Sequence, residues 1–89
     1  MKCVITVIGR DQVGIIAMVA NKLAECNVNI LDISQTIMQN MFTMIMLCDI
    51  TDSVVSFAEL AGDLETAGKE RALTIKIQHQ DIFNSMHKI

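Results

Sequence analysis

Proline, tryptophan and tyrosine are absent from this 89-residue chain, and phenylalanine occurs only three times. Without aromatic platforms there is little on which a base or a sugar could stack. Charge is scarce as well: 19% of residues, with a net charge of −3. No basic footprint exists for a phosphate backbone, so nucleic acid is not an expected partner. The first apolar run, Cys3 to Ile8, is too short for a signal h-region or a membrane span. The three cysteines, Cys3, Cys26 and Cys48, form no C-x-x-C pair, which removes zinc-ribbon and iron–sulfur readings. They are expected as free thiols in a cytoplasmic protein. His79 and His87 lack the i, i+4 spacing of a metal pair, so neither metal nor cofactor is expected. No serine lies in a nucleophile elbow and no histidine is tied to one by spacing, so the chain is not expected to be an enzyme.

What is present is apolar: 52% of residues, with a mean hydropathy of +0.43. Such a chain folds as one domain, and more apolar surface is on offer than a domain of this size hides. Cys3–Ile8 is β-branched and apolar on both faces, the mark of a central strand. Gly9-Arg10-Asp11-Gln12-Val13-Gly14 is a polar turn. Ile15, Val19 and Leu23, spaced by four, predict a helix to about Glu25 that Asn27 stops in a left-handed conformation. Asn29 to Gln39 alternates like an edge strand. After a hairpin turn over Gln39-Asn40-Met41, Phe42 to Ile50 is apolar on both faces, a second central strand.

Asp52 or Ser53 is placed to cap a second helix carrying Phe57, Leu60, Ala61 and Leu64, with Gly68 near its end. Leu73, Ile75 and Ile77 alternate with polar residues in a fourth strand. Asp81 reads as the cap of a short terminal helix with Ile82, Phe83, Met86 and Ile89. The expected layout is a domain over 1–80 and a helical tail over 81–89. The tail packs on its own domain or on a dimer mate.

The order is β-α-β-β-α-β. Right-handed crossovers fold it into an α+β sandwich. Its four-stranded antiparallel sheet has order 4-1-3-2, with both helices on one face. The other face then needs a cover. Met38, Met41, Met44 and Met46 crowd one hairpin, and Met38, Met44 and Met46 are the expected dimer contacts there.

The glycine-bounded turn is the expected ligand site. Free amides and the helix dipole at its end suit a small carboxylate, Gly14 permits close approach, and Asp11 can hold an ammonium. The competing reading is that Asp11 caps the helix. Asn29 can offer its amide to a ligand or satisfy its own turn.

Ile5-Thr6-Val7-Ile8-Gly9-Arg10-Asp11-Gln12-Val13-Gly14-Ile15-Ile16-Ala17, together with Leu23-Ala24-Glu25-Cys26-Asn27-Val28-Asn29-Ile30-Leu31-Asp32-Ile33, resembles the ACT domain. The likeness is to small stand-alone members related to glycine-cleavage-system regulators. Ser34 to Gln39 and Gln78 to His87 carry it to nearly the whole chain. The resemblance implies a ferredoxin-like fold and sensing of a small molecule, most often an amino acid, by paired domains. It implies a ligand at the domain interface, touching Gly9, Arg10, Asp11, Gly14 and Ile15 of one subunit and Asn29 and Ile30 of the other. Many relatives have proline where this chain has Val13, so the loop is less pre-set here.

The resulting expectation is a homodimeric regulatory module that binds an amino-acid-like ligand and acts on an unidentified protein target. The alternative is a ligand-independent interaction module. An acylphosphatase-like use of Arg10 is disfavoured because a longer phosphate loop is missing.

Overall fold

The computed structural model describes residues 1–81. Its elements are β1 (Lys2–Arg10), α1 (Ile15–Glu25), β2 (Asn29–Met38), β3 (Met41–Asp49), α2 (Phe57–Lys69) and β4 (Leu73–His79). The sheet is antiparallel with order β2-β3-β1-β4, the expected 4-1-3-2 read from the other edge. Gln80 and Asp81 are already helical, and the rest of the expected tail helix lies outside the described residues.

Register explains which face the helices cover. Val7 pairs with Met44 and Ile75, and Ile5 pairs with Met46 and Ile77. All these side chains point to one side. The stripe Ile15, Val19, Leu23 of α1 and Leu60, Leu64 of α2 packs onto them in one core cluster. Each fully buried aliphatic side chain there contributes roughly 1.5–3 kcal/mol. Phe57 stacks on His79 at 4.2 Å and ties the start of α2 to β4.

This parity corrects the expected dimer contacts. Met44 and Met46 are both 0% exposed, because they share a face with Ile5 and Val7 beneath the helices. They hold the core together and cannot meet another subunit. Met38, 68% exposed at the end of β2, stays at the surface. The uncovered side of the central strands presents Ile8 and Ile45 instead.

The helix caps also differ from expectation. Ser56, not Asp52 or Ser53, caps α2, its hydroxyl accepting from the Glu59 amide at 3.1 Å. The β-branched pair Val54-Val55 delays the helix, and the Ser53 hydroxyl bonds the Val55 backbone instead. Gly68 is inside α2 and serves close packing: a Cβ there would lie 2.9 Å from the Leu73 carbonyl oxygen. The chain turns left-handed only at Ala72 (φ 57°). Asn27 does stop α1 as expected (φ 59°).

Gly68→Ala is expected to destabilise the fold by about 1–3 kcal/mol, since the obstructing atom is backbone. Gly62→Ala, with nothing near its Cβ position, is expected to stabilise it by about 0.5–1 kcal/mol. Urea unfolding of the two variants tests the contrast.

Candidate functional site

The β1–α1 junction gathers most of the expected site. Gly9 lies inside β1 rather than in the turn, and a Cβ there would run into Leu73. The turn is therefore Asp11 to Gly14. Its start is held by the Asp11 amide, which donates to the Asn40 carbonyl at 2.7 Å. That contact joins the loop to the β2–β3 hairpin, where Gln39 and Asn40 both have positive φ. Arg10, Asp11, Gln39, Asn40 and Met41 line a cavity of about 530 Å³.

Gly14 is the N-cap of α1, left-handed at φ 89°, and no side chain caps this helix. The reading of Asp11 as the cap is thereby excluded. The amides of Ile15, Ile16 and Ala17 have no acceptor within the helix, whereas Met18 already donates to Gly14 at 2.9 Å. The Ile15 side chain is buried in the core, so its backbone amide is what it can offer a ligand. A cavity of about 300 Å³ opens beside this turn, lined by Asp11, Gly14 and Ile16 on one wall and Gln35, Ile37 and Phe42 on the other.

Arg71 completes the junction, and sequence reasoning missed it. Its guanidinium donates to the Val13 carbonyl at 3.1 Å and lies 3.4 Å from where a Gly14 Cβ would stand. The Gln12 side chain donates in turn to the Arg71 carbonyl at 3.0 Å. These contacts fix the loop that lacks proline at Val13, itself 96% exposed. Arg71 also sets a cation beside the uncapped helix end, which deepens a potential favouring an anion. Nothing local could have revealed it, since the contact spans 58 residues.

Asn29 and Ile30 are not part of this junction. They begin β2 at the opposite end of α1, an 11-residue helix about 16 Å long. Asn29 borders a different cavity, about 520 Å³, with Asn27, Asp49 and Asp52. Thr51, through its hydroxyl at 2.6 Å and its amide at 2.9 Å, holds the Asp49 carboxyl below its ordinary value of 3.8. Among the described residues no cluster of His, Cys, Asp or Glu could hold a metal, and no helix is long and apolar enough to cross a membrane.

A four-stranded antiparallel sheet with two helices on one face defines the ferredoxin-like class. Within it, the ACT domain model matches residues 2–78, and the chain belongs to the ACT domain family. It is 58% identical to a UPF0237 protein of Clostridium acetobutylicum over the full length of both chains. It superposes on an ACT domain protein from Streptococcus pneumoniae with a TM-score of 0.81 and 41% identity over 93% of each chain. A chain assigned as a glycine cleavage system transcriptional repressor matches with a TM-score of 0.76 and 25% identity, over 86% of this chain and 44% of that one. The regulatory subunit of aspartate kinase from Thermus thermophilus matches at 0.67 and 28%, over 86% and 50%. The ACT domain is a small-molecule-binding regulatory module rather than a catalytic one.

Two outcomes follow from the geometry. Gly14→Ala is expected to lower stability by about 1–2 kcal/mol through left-handed strain, read as a lowered thermal midpoint. Asp49, depressed in the folded state, contributes stability that is present above its ordinary value and lost as pH falls through the folded value. As pH falls below 3.8, Asp49→Asn should therefore lose stability less steeply than the parent chain in urea titrations.

Proposed function

We propose that the protein is a homodimeric sensor of an amino-acid-like ligand, held between subunits, and that it regulates another protein. One observation carries the reading: an uncapped helix N-terminus behind left-handed Gly14, with the Arg71 guanidinium beside it and the Asp11 carboxylate at the loop's start. Amides and guanidinium suit a carboxylate, and a carboxylate suits an ammonium.

The edge strand supports a second copy as the other wall. β2 is ten residues long and nearly all exposed, and among the described residues its outer edge is unpaired. It carries neither proline nor lysine, the usual devices that blunt an edge. Its bulge lies at Leu31, which leaves Asp32 to Met38 straight. Two β2 strands paired antiparallel about a two-fold near mid-strand bring the partner's Asn29 and Ile30 toward Met38 and Asn40. There they adjoin Asp11, whose amide already bonds Asn40. The two separated halves of the expected site meet in this way, and Ile33 and Ile37 lose their exposure. Three free thiols fit a reducing, cytoplasmic setting.

Ile8 and Ile45, exposed on the uncovered sheet face, favour a second reading as a ligand-independent interaction module. Capture of a target that survives Asp11→Ala but not Ile45→Asp would select it.

Calorimetry against the common amino acids is the direct experiment. At least one is expected to bind, and Gly14→Val to weaken it tenfold or more (~1.4 kcal/mol). Ile33→Lys is expected to halve the mass in sedimentation and to abolish binding with it. No heat from any amino acid at millimolar concentration would refute the sensing role, and an unchanged mass for Ile33→Lys would refute the β2 contact.

A further inference from the structure

Cys3 and Cys48 stand directly opposite each other on β1 and β3, on the same face, and both are 0% exposed. Each thiol shifts the ionisation of the other. The pairing type follows from the neighbouring bond. Ile50 donates its amide to the Met1 carbonyl at 2.9 Å, so that pair is of the narrow, hydrogen-bonded kind. Antiparallel pairs alternate, and two residues further in Cys3 and Cys48 are of the same kind, with Cα atoms about 5.5 Å apart. That separation lies within the range a disulfide spans.

We propose that Cys3 and Cys48 are a redox modification site, closing to a cross-strand disulfide when a low-molecular-weight disulfide such as oxidised glutathione is present. Side chains at a hydrogen-bonded pair diverge more than at the alternate kind, so the bond formed is strained. Strained disulfides are the easily reduced, reversible ones rather than permanent staples.

The reaction divides between the two sulfurs. The neighbouring Cys48 side chain lowers the Cys3 thiol pKa, while Cys3 and burial raise that of Cys48. In the proposed reaction Cys3 is the sulfur that ionises and attacks. Its thiolate breaks the S–S bond of the oxidant, forming a mixed disulfide and releasing one thiol. The Cys48 sulfur then attacks Cys3, the protein disulfide forms, and the second thiol leaves. The pair loses two electrons to the oxidant, and its two protons end on the two released thiols.

Access comes from the end of the sheet. Cys3 is the second residue of β1 and Cys48 the last but one of β3. This end is clamped by the Met1 amino group, which donates to the Thr51 hydroxyl and lies 3.6 Å from Asp49. Strand ends open locally at far lower cost than the whole fold. Cys26, buried elsewhere at the end of α1 with no register partner, does not take part.

The test incubates the folded protein with oxidised glutathione, then unfolds it in an alkylating agent. The expected product carries one alkyl group, at Cys26, and a peptide map links Cys3 to Cys48. Cys48→Ala is expected to stop at the mixed disulfide on Cys3. Asp49→Asn with Thr51→Ala, which loosens the clamp, is expected to speed closure several-fold. Three alkyl groups at every oxidant concentration, or a linkage through Cys26, overturns the proposal. An unchanged rate in the clamp variant overturns the route through the strand ends.

Discussion

The structure depends on a mismatch between sheet and helices. β1 and β3 are apolar on both faces, yet the two helices cover one. That covered face holds Cys3, Ile5, Val7, Met44, Met46 and Cys48, all completely buried. Ile8 and Ile45 on the other face, and Ile33 and Ile37 on β2, are left exposed. Burial is proportional to apolar area removed from water, so the uncovered strands remain a source of association free energy.

In the proposed function, helix α1 turns this mismatch into a site. It leaves β1 through a turn whose conformation needs glycine at position 14, and it starts without a side-chain cap. A serine or aspartate at that position would satisfy an amide and remove the anion-seeking end. Left-handed glycine trades that capping free energy for open amides. The loop recovers its order from a distance, through Arg71 on Val13 and Asn40 on Asp11. These ordering contacts use the Val13 carbonyl and the Asp11 amide, not the first amides of α1.

The order of elements was legible because each carries a clean period: four in α1, two in β4, unbroken apolarity in β1 and β3. The turn into α1 was legible because Gly14 interrupts that pattern at a helix start, whereas Gly9 belongs to β1. The face of β3 was not. Phe42, Met44, Met46 and Cys48 alternate with Ile45 and Leu47, and both sets are apolar, so composition alone gives no choice between them. The choice was encoded one strand further on. In β4, Leu73 and Ile75 alternate with Thr74 and Lys76, and register through Val7 carries that polarity to Met44. Ser56 was hidden by Asp52 and Ser53, each an equally good cap by residue type. Arg71 left no local trace, since its role is set by a contact with a loop 58 residues earlier.

A ligand at the proposed site is inseparable from association. Asp11 and Asn29 stand beyond opposite ends of α1, a helix about 16 Å long. A molecule the size of an amino acid cannot touch both in one subunit. If its two sides require two copies, the ligand binds the dimer and not the monomer, and mass action then fixes the sign of its effect. Ligand at 100 times its Kd stabilises the paired form by roughly 2.7 kcal/mol per site. A ligand that met both forms equally would shift nothing. Under the proposed function, regulation in such a small chain would reduce to one equilibrium, in which occupancy of the cleft and pairing of the β2 edges rise together, and a target that distinguishes paired from unpaired edges would read the ligand concentration.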